Sequence, residues 1–94
     1  MIKNTFEITN NVAWQLEPIE NFIYIYNIKD NYYIYLEDTA KEIWHLICDK
    51  NTTEEIAKKI SEKYQVEFIE VLEDTKETIQ DLIDRGVINL ENNH

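Results

Sequence analysis

The candidates for nucleophilic or acid–base chemistry in this 94-residue sequence are His45 and Cys48, three positions apart. An imidazole and a thiol act as base and nucleophile when a fold holds both beside a pocket. On a helix, however, this spacing places them off the apolar face, which favours a surface histidine beside a half-buried thiol. With one glycine in the chain no glycine-rich phosphate loop can form, and no HExxH, GxSxG or CxxC motif occurs. We therefore expect no catalytic residues and no enzyme activity.

The same inventory argues against a metal site. Two histidines and one cysteine cannot supply the four nitrogen or sulfur ligands of a structural zinc ion. Cys48 has no second cysteine with which to form an internal disulfide. The many carboxylates fall on predicted exposed helix faces, where hydration accounts for them. We expect neither a metal nor a cofactor.

Length and charge limit the class of partner. At roughly 100–200 residues per domain, residues 1–94 form a single domain. The net charge of −10 disfavours nucleic acid and anionic membranes, because both bind basic surfaces. No apolar run approaches the roughly 18 residues of a transmembrane helix, and no signal-peptide pattern opens the sequence. We expect a cytoplasmic protein that binds neither nucleic acid nor membrane.

The first third of the sequence predicts three strands. The runs are rich in aromatic and β-branched residues or alternate in polarity, as strands do, and they cover Val12–Leu16, Phe22–Tyr26 and Tyr32–Leu36. A short turn at residues 29–31 joins the second and third runs into a hairpin.

Three helices are predicted in the remainder. Capping boxes at Thr39 to Glu42 and Thr52 to Glu55 mark the first two starts. The third helix runs from Glu67 or Phe68 to Arg85, and Gly86 closes it. Its apolar stripe consists of Phe68, Leu72, Thr75, Ile79 and Leu82. Residues 87–90 form a short extended tail. The predicted fold class is α+β, with an N-terminal three-stranded antiparallel sheet followed by three helices.

This element order is compatible with a winged helix-turn-helix protein, whose last helix would enter the major groove of DNA. The third predicted helix, however, carries seven carboxylates between residues 67 and 85 against Lys76 and Arg85. Phosphates would be repelled by such a helix. The fold is compatible with DNA binding, but the charge excludes it.

If the third predicted strand is the edge of its sheet, that edge is unprotected. Tyr32–Leu36 carries neither proline nor charge, the residues that usually protect an edge strand from pairing with another chain. A peptide could add to it as a further strand, with neighbouring side-chain pockets setting specificity. The alternatives are that the tyrosines only cover the outer sheet face, or that a loop or a second copy shields the edge.

A longer pattern extends from residue 31 to residue 88. It begins with Tyr35-Leu36-Glu37 and an Ala-x-x-Ile-Trp helix start at Ala40, Ile43 and Trp44. A Thr-x-x-Glu-Ile segment and a later tyrosine follow, at Thr52, Glu55, Ile56 and Tyr64. The pattern ends with Asp74, Thr75, Leu82, Gly86, Val87 and Ile88. It resembles the PqqD-like family of precursor-peptide recognition elements, although the family usually has a glycine in the turn near residues 49–51 and an aliphatic residue at position 75.

The resemblance implies a winged-helix-like domain that does no chemistry. Such a domain binds the leader of a ribosomally made precursor peptide and presents it to a modifying enzyme, which is a radical-SAM enzyme, a leader peptidase or a cyclase. The leader adds as an antiparallel strand on the third strand, beside the third helix. The implied peptide-binding residues are Tyr32, Tyr33, Ile34, Tyr35, Leu36, Val71, Leu72, Thr75, Lys76 and Ile79. The alternative function is a winged-helix regulatory or protein-interaction module unrelated to peptide modification.

Overall fold

The structure, a computed structural model, describes residues 4–91. In chain order these residues form strands β1 (Phe6–Ile8), β2 (Val12–Glu17), β3 (Phe22–Asn27) and β4 (Tyr32–Leu36), helices α1 (Asp38–Cys48), α2 (Thr53–Tyr64) and α3 (Phe68–Asp84), and strand β5 (Ile88–Leu90). The three predicted strands are β2, β3 and β4, and the three predicted helices are α1, α2 and α3. The α+β class is confirmed. Among residues 4–91, none of the helices has the length and apolar character that a membrane span requires.

The predicted N-terminal three-stranded arrangement was incomplete. Strands β2, β3 and β4 form an antiparallel sheet in that order, but β1 precedes them and pairs with β5 in a separate two-stranded sheet. In the β1–β5 sheet Phe6 pairs with Leu90 and Ile8 with Ile88. Each of these strands has three residues, too few for a periodic pattern, and they pair only because the fold brings the two ends of the chain together. The predicted extended tail at 87–90 therefore contains a paired strand.

The core lies between the helices and one face of the three-stranded sheet. Alternate residues of β3 and β4 enter it, including Ile23, Ile25 and Ile34. They meet the apolar stripes of the helices, represented by Trp44 and Leu82, both almost fully buried. The opposite face of the sheet carries the tyrosines. A two-layer arrangement of this kind buries one stripe of each helix and one face of the sheet.

Of the two predicted capping boxes, one is confirmed. The Thr52 side chain accepts from the Glu55 N–H at 3.2 Å, and the Glu55 carboxylate accepts from the Thr52 N–H at 2.8 Å. The predicted box at Thr39 is wrong, because α1 begins at Asp38, two residues earlier than a Thr39 N-cap implies, with Glu37 as its N-cap and no side-chain cap. Glu42 instead reaches across to α2, where it accepts hydrogen bonds from Lys63 at 3.2 Å and from the Tyr64 hydroxyl.

The C-terminal end of α3 is tied to the β3–β4 hairpin. The Arg85 carbonyl accepts from the Asn27 side-chain amide at 3.1 Å and from the Tyr32 hydroxyl at 2.7 Å. Gly86 follows with a φ of +75°, a left-handed conformation that glycine adopts without steric cost. The chain can then turn from α3 into β5. These contacts place the C-terminal end of α3 beside the start of β4.

Candidate functional site

Strand β4 is an edge of its sheet, as predicted. Its five residues pair with β3, from Tyr32 opposite Asn27 to Leu36 opposite Ile23. On the other side of β4, no strand is supplied by residues 4–91. The outward backbone N–H and C=O groups of this edge are therefore available to a strand from another chain.

The side chains of β4 divide between the two faces of the sheet. Ile34 and Leu36 are buried in the core. Tyr33 and Tyr35 are 55% and 62% exposed and lie with their ring centroids 6.2 Å apart on the outer face. The alternative that the tyrosines cover the outer face is therefore correct for these two residues, and it leaves the backbone edge open. Along its edge, β4 presents backbone N–H and C=O groups.

The five residues predicted on α3 have different environments. Val71, Thr75 and Ile79 are buried, Leu72 is half-buried and packs against the core, and Lys76 is exposed. The ammonium of Lys76 lies 4.0 Å from the Glu73 carboxylate. Of these five, Val71 and Thr75 line a cleft.

This cleft, the inner cleft, has a volume of about 180 Å³ and lies where the start of α1, the end of α2 and the first half of α3 meet. Its lining residues are Thr39, Ile60, Tyr64, Val66, Val71, Asp74 and Thr75. Thr39 comes three residues after Leu36, the last residue of β4, so the cleft lies near the C-terminal end of the open edge. Leu72 and Lys76 do not line it.

A second, wider cleft adjoins the first. This outer cleft has a volume of about 420 Å³ and is lined by Val66, Ile69, Glu70, Val71, Glu73 and Asp74. It shares Val66, Val71 and Asp74 with the inner cleft, so the two form one continuous depression along the start of α3. Two of its apolar residues are exposed, Val66 at 44% and Ile69 at 64%, whereas Val71 is buried.

Sequence reasoning missed Thr39, Tyr64, Val66 and Asp74 as members of this region. They come from three helices and from the loop between α2 and α3, which only the tertiary fold brings together. One signal was present in the sequence: Val66 is an apolar residue just before α3, and Ile69 is an apolar residue off the predicted stripe of α3.

His45 and Cys48 both lie on α1. Burial raises the pKa of the Cys48 thiol, and the charge of Asp49 adds to this shift. A thiol in such surroundings stays protonated at neutral pH and is a poor nucleophile. The His45 ring lies edge-on to Trp14, at 6.5 Å between centroids. Within the part of the chain that the structure describes, no three histidine, cysteine or acidic residues are grouped to hold a metal ion.

The sequence model of the family described as Coenzyme PQQ synthesis protein D (PqqD) matches residues 23–88. The chain belongs to the PqqD family. The matched segment begins in β3 and ends in β5, so it includes the open edge of β4, all three helices and both clefts. The resemblance inferred from the sequence is confirmed.

Two solved structures share the fold of this PqqD-family chain. TbiB1 in complex with the TbiA(beta) leader peptide is 20% identical with a TM-score of 0.79, covering 94% of this chain and 98% of that one. Lasso peptide synthetase B1 complexed with the leader peptide is 18% identical with a TM-score of 0.80, covering 89% of this chain and 96% of that one. No curated protein matches the chain in sequence.

Proposed function

We propose that this PqqD-family chain is a non-catalytic leader-peptide-binding protein, which presents a ribosomally made precursor peptide to a modifying enzyme. The observation that carries the proposal is the unprotected edge of β4, with α3 beside it and a cleft near its end. The two solved proteins that share the fold are both complexes with leader peptides. The raised pKa of Cys48 supports a role without chemistry.

The leader would bind as an antiparallel strand on β4, so that its backbone pairs with the outward N–H and C=O groups of Tyr32–Leu36. Strand addition provides affinity through main-chain hydrogen bonds, and side-chain sites beside the strand provide specificity. The proposed wall on α3 consists of Val71, Leu72, Thr75, Lys76 and Ile79. The proposal includes the finer assignments of a winged-helix-like single domain over residues 1–94 and a cytoplasmic location.

Binding would work by tethering. A protein that holds a leader near an enzyme raises the local concentration of the attached core peptide, on the order of millimolar for a short tether. A strand of a few residues buries less than a standard interface of about 1,600 Å². One or two anchoring side chains must therefore supply much of the affinity. The enzyme that receives the peptide is a radical-SAM enzyme, a leader peptidase or a cyclase.

The test is an NMR titration of the ¹⁵N-labelled chain with a synthetic leader peptide. The peptide is the N-terminal part of a precursor encoded beside the gene for this chain, and a scrambled peptide of the same composition is the control. We expect the amide signals of Tyr32–Leu36 and of α3 between residues 71 and 79 to shift with the leader only. Shifts confined to α1 and α2 would refute the strand-addition site.

A further inference from the structure

The depression formed by the two clefts has an apolar floor and an acidic rim. Val66, Val71 and Ile69 supply the apolar part, and Glu70, Glu73 and Asp74 supply carboxylates. Among residues 4–91, the side chains of Glu70 and Asp74 have no ion pair, and Glu73 has only the 4.0 Å approach of Lys76. The rim therefore presents negative charge that the chain itself leaves largely uncompensated.

Helix capping accounts for only part of this charge. An acidic residue in the first turn of a helix is stabilised by the helix dipole, which explains Glu70. Glu73 and Asp74 are the sixth and seventh residues of α3. The dipole effect falls off within the first turn, so it does not explain a pair of carboxylates placed beside exposed apolar side chains.

Thr75 gives a second, independent indication of a ligand. It is fully buried in the wall of the inner cleft, and its Oγ1 has no hydrogen-bond partner among residues 4–91. A threonine within a helix often bonds back to a carbonyl of the preceding turn, but this one does not. An unpaired buried hydroxyl costs stability, and it is satisfied when a bound group supplies the partner.

These features match one kind of side chain. Arginine has an aliphatic stem that packs on apolar surface and a head with five N–H donors and no acceptor. Such a head can donate to the Asp74 carboxylate, and Thr75 lies in the wall of the same cleft. The inner cleft, at about 180 Å³, has room for one long side chain, since a cavity of about 150 Å³ accepts benzene.

We propose that the two clefts bind a segment of the leader in which an arginine occupies the inner cleft, against Asp74 and Thr75, and a neighbouring aliphatic residue occupies the outer cleft, against Ile69. This inference rests on the proposed function and specifies its substrate class. The clefts lie near the C-terminal end of β4. In an antiparallel strand on β4, the arginine therefore comes N-terminal to the segment that pairs with the strand.

The experiment begins by screening a displayed library of short random peptides for binding to the full chain. We expect the selected peptides to contain arginine more often than the library does, with an aliphatic neighbour. A selected peptide is then compared with the same peptide carrying citrulline, a neutral isostere, by fluorescence anisotropy. The citrulline peptide should bind about tenfold more weakly, because it loses a charge-assisted hydrogen bond.

Two variants locate the effect. Asp74→Asn should remove most of the difference between the arginine and citrulline peptides. Asp84→Asn removes the same charge near the end of α3, away from both clefts, and should preserve the difference. Equal binding of the two peptides to the wild-type chain, no arginine enrichment, or an unchanged difference in Asp74→Asn would each overturn the inference.

The backbone signals of β4 separate this inference from the proposed function. If the citrulline peptide shifts the amides of Tyr32–Leu36 and binds as tightly as the arginine peptide, the arginine site is wrong and strand addition stands. If no selected peptide shifts these amides, both proposals are wrong.

Discussion

Two sides of the molecule differ in whether their polar side chains have hydrogen-bond or ion-pair partners. On the closed side, formed by β1, β5 and Lys50, several polar side chains are paired. The Lys50 ammonium donates to the Phe6 carbonyl at 3.0 Å and to Glu91 at 3.1 Å, and Glu91 also accepts from the Thr5 hydroxyl. The Thr9 hydroxyl donates to the Gly86 carbonyl at 2.8 Å. These bonds join the two ends of the described chain.

On the open side, formed by β4 and the first half of α3, polar groups are left over. The Thr75 hydroxyl has no partner among residues 4–91, and in the same residues no cation lies within 4.0 Å of the Asp74 carboxylate. Strand β4 pairs on one side only, as β1, β2 and β5 also do. Buried polar groups in folded proteins are normally paired. The proposed binding region therefore lies apart from the paired side chains of the closed side.

The largest expected effect comes from the closed side. Phe6 lies in β1 and its side chain is buried, so Phe6→Ala should lower the free energy of unfolding by about 3 to 5 kcal/mol. Peptide affinity of the folded fraction should stay the same. Urea denaturation measures the first quantity and anisotropy at low temperature the second; Phe6→Leu serves as a milder variant. A loss of affinity in folded Phe6→Leu would contradict the separation of the two sides.

On the open side, a proline in β4 should disrupt binding. Tyr35→Pro removes a backbone donor and distorts the edge, and the leader should bind roughly tenfold more weakly or worse. Tyr35→Ala is the matched control, because the Tyr35 ring lies on the outer face and not along the edge. Calorimetric titration of both variants provides the comparison. Equal losses for alanine and proline would mean that the ring, and not the main chain, carries the contact.

The two sides should respond with opposite signs to the same substitution. Thr75→Val removes a buried hydroxyl that has no partner and should raise the free energy of unfolding by about 1 kcal/mol. Thr9→Val removes a hydroxyl that donates to Gly86 and should lower it by about 1 kcal/mol. Urea denaturation of the two variants is sufficient. Destabilisation by Thr75→Val would show that the hydroxyl is satisfied within the chain.

The smallest expected effect is on the pH dependence of folding stability, through Glu91 on the closed side. Hydrogen bonds from Lys50 and Thr5 lower the pKa of Glu91 below the ordinary value of 4.5. In that range the unfolded chain binds more protons than the folded chain, so stability falls as the pH decreases from 4.5 through the lowered pKa. Glu91→Gln should flatten this part of the stability profile. An unchanged profile in thermal unfolding between pH 3 and pH 6 would contradict the assignment.

The sequence predicted the elements that have a clear pattern. Alternation and aromatic content identified β4 and its edge, and the Thr52 capping box identified the start of α2. Strands β1 and β5 were not predicted as a pair, because three residues show no periodicity and their pairing depends on contact between distant segments. The Thr39 box was wrong because Glu42 bonds to α2 instead.

The candidate site was also only partly predictable from the sequence. The open edge followed from the residues of one strand. The clefts did not, because Thr39, Tyr64 and Asp74 belong to three helices that only the tertiary fold brings together. Helical periodicity predicted that Thr75 is buried, but it could not show that the hydroxyl lacks a partner.

The hydrogen bonds of the Arg85 carbonyl limit the length of strand β4 at its N-terminal end. This carbonyl accepts from both Asn27 and Tyr32, so both of its lone pairs are used and the start of β4 is fixed against the end of α3. At the other end, Asp38 adopts a φ of +51° and the chain turns into α1. Between these two limits lie five residues, or about 17 Å of extended chain. The main chain of β4 can therefore pair with only about five residues of a bound peptide. Further discrimination has to come from side chains beside the strand and beyond its ends.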